Sequence, residues 1–113
     1  SPWGTTAILA TSAEYAEFVC GRMRRFGEIR CRKMFGEYMV YLNEKPVLTL
    51  CDSTPFVKML PELSPFLSET GFPYEGAKEH YLLDVENDAL LDQVIPLLEA
   101  VTPFPKKRSK LSL

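Results

Sequence analysis

Apolar positions set the organisation of the chain. Tyr15, Phe18, Val19, Met23 and Phe26 recur at three- and four-residue spacing, so they fall on one stripe of a helix. Ahead of them, Thr11-Ser12-Ala13-Glu14 reads as a capping box, a hydroxyl at the N-cap and a carboxylate three residues on. Arg22, Arg24 and Arg25 close the pattern where cations suit a helix C-terminus, and Gly27 follows where a left-handed residue ends a helix. The spacing predicts a helix from about Ser12 to Phe26.

From Glu28 the period becomes two. Ile29 and Cys31 alternate with Arg30 and Arg32, giving an apolar and a cationic strand face. Glu37 to Leu42 reads as a second strand, Val47 to Cys51 as a third, Phe56 to Met59 as a fourth and His80 to Val85 as a fifth. Turns are predicted at Asn43-Glu44-Lys45-Pro46 and at Asp52-Ser53-Thr54-Pro55. Connections this short imply an antiparallel meander. Leu60 to Thr70, with Pro61 and Pro65, reads as a short helix or a loop, and residues 72–77 as a loop. A closing helix runs from about Ala89 to Val101, capped by Asn87 or Asp88, with Leu90, Leu91, Val94, Ile95, Leu98 and Val101 inward; Pro96 predicts a kink or an early stop. The expected class is α+β: a two-layer domain with a sheet of about five antiparallel strands packed by an N-terminal and a C-terminal helix.

Composition fits that picture. The chain has 113 residues, 46% apolar and 25% charged, a balance suited to one globular domain. It divides into a tail at residues 1–10, a domain at 11–103 and a basic tail at 104–113. No apolar run reaches the roughly 20 residues of a membrane helix, and SPWGTTAILATSAEY lacks the basic leader of a signal peptide. Cys20, Cys31 and Cys51 match no zinc spacing; their odd count predicts unpaired, core-packed thiols in the reducing cytoplasm.

Net charge is −2 but uneven. Lys106, Lys107, Arg108 and Lys110 lie in the tail, so the body holds nine basic against fifteen acidic residues, a balance of −6. Within it, Arg22, Arg24, Arg25, Arg30, Arg32 and Lys33 crowd twelve positions. Arg30, Arg32 and Lys33 with Arg22 and Arg25 form a candidate patch for a protein partner or a phosphate; the alternative is a solvated sheet face and helix end. Direct nucleic-acid binding through Arg22 to Lys33 and the tail is a weaker alternative in so acidic a body. The open sheet edges leave room for a homodimer.

Catalytic signatures are missing. The six glycines form no phosphate loop, no metalloprotease or nucleophile-elbow motif occurs, and His80 is the single histidine, read as structural or solvated. Glu75, Glu79, Asp84, Glu86, Asp88 and Asp92 read as a solvated acidic face rather than an acid–base pair. No catalytic residue, metal or cofactor is expected. Lys33 to Glu37 is read as a turn or kink between strands, with Gly36 supplying a bulge or a positive φ.

The segments TSAEYAEFV, RKMFGEYMVYLNEKPVLTL, FVKM and PYEGAKEHYLLDV, over residues 11–105, resemble the N-terminal domain of the TfoX/Sxy family. The motif residues are Arg32, Met34, Phe35, Gly36 and Tyr38, then Tyr74, Glu75 and Gly76. The resemblance implies a secretion-chaperone-like antiparallel sheet packed by helices, and a helix at Leu63 to Glu69. It also implies a non-enzymatic regulatory module, related to competence regulators thought to act with a cyclic-AMP receptor type of activator. Those regulators carry a second, helical domain; residues up to Leu113 show none, so a short stand-alone member is expected. The alternative is a small ligand-binding domain or enzyme with a pocket near Tyr38, Tyr74 and Glu75.

Overall fold

The computed structural model describes residues 11–105. Its elements are α1 (Ala13–Met23), β1 (Ile29–Met34), β2 (Glu37–Leu42), β3 (Lys45–Cys51), β4 (Thr54–Lys58), β5 (Thr70–Gly71), β6 (His80–Leu82) and α2 (Asp88–Val101). The strands form one antiparallel sheet in the order β1-β2-β3-β4-β6-β5. The fold is thus α+β, with six strands rather than about five. The addition is β5, whose two residues are too short to show a period.

Both helices pack on one face of the sheet. The core joins Val19, Cys20 and Met23 of α1 and Leu91, Val94, Ile95 and Leu98 of α2 to Val40, Leu42, Leu48, Leu50 and Val57 of the strands. Strand alternation turns Arg30, Arg32, Met34, Met39, Thr49, Phe56, Lys58 and His80 to the opposite, outer face. Phe18 falls outside the predicted stripe: it is exposed, and Ala16 and Cys20 take the inward positions.

Each early connection is a two-residue hairpin turn. Phe35 and Gly36, Asn43 and Glu44, and Asp52 and Ser53 all have positive φ. Such turns match the right-handed twist of the strands they join. The predicted four-residue turns therefore shrink: Lys45 and Pro46 belong to β3, and Thr54 and Pro55 to β4. Pro46, without an N–H, is accommodated where the register shifts between Val40 and Tyr41.

Helix α1 is capped by Ser12, whose Oγ accepts from the Tyr15 N–H at 3.0 Å. The predicted capping box does not form because Thr11 is drawn away and buried. Its hydroxyl donates to the Leu50 carbonyl at 3.2 Å and accepts from the Ser53 N–H at 2.9 Å. Arg24–Phe26 tightens into a 3₁₀ turn. Gly27 has φ 155°, not a left-handed cap; a Cβ there would lie 2.8 Å from the Asn43 side chain and 2.9 Å from Leu42 Cδ1. Close approach to the β2–β3 turn requires glycine here.

Two further expectations fail on proline chemistry, in opposite directions. The helix expected at Leu63 to Glu69 is absent: Pro61–Leu63 makes a 3₁₀ turn, and the Phe66 and Leu67 N–H groups both bond to the Leu63 carbonyl, at 2.9 and 3.0 Å. Pro65 disfavours helical geometry at Ser64. Pro96, by contrast, neither stops nor shortens α2, which runs on to Val101. It lies on the exposed face, where the carbonyl deprived of its N–H meets solvent. Asn87 caps α2, its side chain accepting from the Leu90 N–H at 3.1 Å.

The cysteine expectation is corrected as well. Cys20 and Cys31 are joined in a disulfide. Their eleven-residue separation carries no pairing signature; the packing of α1 on β1 brings them together. Cys51 is free and buried, as expected.

Candidate functional site

The fold splits the basic cluster. Arg22 and Arg25 reach across to the start of α2. Arg22 Nε donates to the Val85 carbonyl at 3.0 Å and its guanidinium pairs with Asp88. Arg25 pairs with Asp92, lies 3.7 Å from Asp88 and stacks on Phe26. These cations clamp one helix to the other. Arg24 pairs with Glu17 at 3.1 Å. Arg30 pairs with Glu44 at 2.9 Å and covers the Tyr41 ring at 4.2 Å; the hydrogen bond to Glu44 raises its pKa further. Among the described residues, Arg32 and Lys33 make no ion pair. Arg32 shares the outer face with Arg30, as expected from the alternation, whereas Lys33 faces the other way beside Tyr38.

The Arg32 to Tyr38 motif is the β1–β2 hairpin end. Met34 and Glu37 pair as its last rung, and Phe35-Gly36 is the turn, with φ of 49° and 81°. Phe35 is fully exposed. A bulky aromatic in the left-handed region is strained, and one with no packing partner gains nothing from burial in return. The Gly36 carbonyl accepts from the Thr11 N–H at 3.2 Å, tying the tip to the chain ahead of α1.

The second motif segment hangs over the outer sheet face. Tyr74 and Gly76 line a cleft of about 450 Å³ whose floor is Met34, Glu37, Met39, Thr49, Lys58 and His80. Glu75 is not part of its lining, and Tyr38 packs against the core on the other side of the sheet. The three residues expected around one pocket are therefore divided. Lys58 and Lys78, which sequence reasoning passed over, sit where Tyr38 and Glu75 were expected. The outward phase of Phe56 and Lys58 along β4 was the available signal.

Little in this region suits covalent chemistry. Burial pushes the Cys51 thiol up to about 12, and the hydrogen bond to Glu37 acts in the same direction. A thiol held in its protonated form is a poor nucleophile. His80 Nδ1 lies 2.7 Å from the Lys78 carbonyl. A carbonyl accepts, so Nδ1 carries the proton and Nε2 is the ring nitrogen left to face a ligand. Burial, with Glu86 and Asp84 nearby, raises the Tyr15 phenol. Among the described residues, no three His, Cys, Asp or Glu side chains are grouped to hold a metal ion, and no helix is long and apolar enough to cross a membrane.

Sheet and helices define a two-layer α+β protein with an antiparallel meander and an open outer face. No family model matches the chain, and no solved structure does. A protein of Spirochaeta aurantia, described as an uncharacterized 12.7 kDa protein in the trpE 5′ region, is 36% identical over 104 residues, covering 88% of this chain and 90% of that one. The chain belongs to the family of that spirochaete protein.

Proposed function

We propose that the protein is a non-enzymatic regulatory module of the TfoX N-terminal kind, which docks a protein partner through the tip of the β1–β2 hairpin. The observation that carries the reading is Phe35, fully exposed in a left-handed backbone conformation just after Arg32 and Lys33, which make no ion pair among the described residues. An aromatic anchor flanked by cations suits an apolar pocket rimmed by acidic side chains. Arg22, Arg25 and Arg30 are held by acids of the same chain, which favours a protein partner over a nucleic acid. A transcription activator of the cyclic-AMP receptor type is the partner class that the sequence resemblance suggests. That reading requires the cytoplasm, whose thiol pool would open the Cys20–Cys31 bond, so the disulfide is the observation that stands against this compartment.

The test is affinity capture from a bacterial lysate and from a purified activator of that type. It compares the wild-type chain with Phe35→Asn and with Arg32→Glu/Lys33→Glu. Asn tolerates positive φ, so the first variant keeps the turn. A partner retained by wild type and lost from both variants is expected. Identical retained sets on all three proteins, or capture of nothing but a second copy of the chain, would overturn the reading.

A further inference from the structure

Nine of the thirteen basic residues are described, and five of them, Arg22, Arg24, Arg25, Arg30 and Lys45, are paired with acids. That leaves Arg32, Lys33, Lys58 and Lys78 without an ion pair among the described residues, although acids outnumber bases in the body. Two of these four, Lys58 and Lys78, line the same cleft. They also line, with His80, a neighbouring cavity of about 290 Å³. Lys58 and His80 oppose each other directly across the β4–β6 ladder, which brings their Cβ atoms to roughly 5 Å. Lys58 and Lys78 thus meet at the border of two concavities, whereas Arg32 and Lys33 lie on β1.

The rest of the larger cleft has a different character. Met34, Met39, Pro73 and Tyr74 give it an apolar wall. Its lining holds one acid, Glu37, against two lysines, Lys58 and Lys78. Glu79 lines the smaller cavity only. A site with an apolar wall and a cationic end discriminates in favour of an amphipathic anion. The volume suits a small molecule rather than a chain segment.

We infer that the cleft between the outer sheet face and the 72–79 loop binds a small molecule carrying a carboxylate or phosphate on an apolar body. Lys58 and Lys78 hold the anionic group, and Met39 and Tyr74 cover the apolar part. This site is separate from the hairpin tip and does not depend on partner docking there.

The test is titration of the full chain with phenyl phosphate, phenylacetate and benzyl alcohol, followed by amide chemical shifts. Both anions are expected to give saturable shifts confined to the cleft-lining parts of β1, β2, β3, β4 and β6 and to the 72–79 loop, with the neutral alcohol at least about tenfold weaker. Lys58→Ala and Lys78→Ala each weaken anion binding by about tenfold or more, and Lys58→Arg retains most of it. Unshifted resonances outside the cleft show that these variants remain folded. Phosphate binding without carboxylate binding, or the reverse, identifies the ligand's head group within the same inference. No saturable shift with either anion, equal binding of the alcohol, shifts located elsewhere, or lysine variants that bind like wild type would each overturn it.

Discussion

Cys51 shows how a single side chain on this sheet responds to its surroundings. Burial, with Glu37 beside it, pushes its thiol up from the ordinary 9.0 to about 12. Unfolding frees a thiol that ionises near the ordinary value, so folding favours the protonated form. That contribution is complete below about pH 9 and is lost as pH climbs toward 12, at up to about 1.4 kcal/mol per pH unit. Urea unfolding of wild type and Cys51→Ala across this range is expected to show a shallower decline in the variant. Equal slopes would mean that the thiol is solvated in the native state. At this scale the sequence was legible for apolar identity and silent on pairing: Cys51 reads correctly as a buried thiol, while nothing in a separation of 11 residues shows that Cys20 meets Cys31.

Elements were legible in proportion to their periodicity. The stripe of α2 and the alternation of β1 are long enough to be read, and both stand. Phe18 was misplaced because an aromatic at helical spacing matches the apolar template whether or not it faces the core; Ala16 and Cys20, small and inward, carry a weaker signal. Thr70–Gly71 is recognisable only through its pairing with Tyr81 and His80. The turns were located but misjudged in length, since positive φ at two successive residues is a property of strand twist rather than of residue identity alone. Pro96 makes the opposite point, because the helix tolerates it on the side facing solvent. Replacing it with Ala restores an N–H and an intrahelical bond, and stability is expected to rise by about 1–3 kcal/mol in chemical denaturation. A loss of stability would show that the ring makes packing contacts that outweigh the bond.

For the molecule as a whole, the sheet supplies the core and two long-range ties fix the helices on it. One is the clamp of Arg22 and Arg25 on the start of α2; the other is the Cys20–Cys31 bond between α1 and β1. Closing a loop of eleven residues constrains the unfolded chain by about 3 kcal/mol. Reduction of the purified protein is expected to lower its stability by that order, and alkylation of reduced protein to add two labels beyond the oxidised form. Trapping thiols during cell lysis then tests the proposed compartment: labelled Cys20 and Cys31 support the cytoplasm, and a fully bonded pair contradicts it. Charge at the sheet edges is a feature of the same scale. The exposed β1 edge carries Arg30, Arg32 and Lys33, and β5 offers only two residues, so neither edge invites open-ended strand addition.

Thr11 has a practical consequence for anyone handling the protein. Its hydroxyl is anchored at the β3–β4 turn and its N–H at the Gly36 carbonyl, so Thr11 itself is tied to the tip of the β1–β2 hairpin. A purification handle or fluorescent fusion joined directly to Thr11 therefore starts beside the surface assigned to the partner and screens it. Attachment after residue 105 starts instead near Lys45 and Phe104, beyond the closing helix, and leaves the tip open for capture.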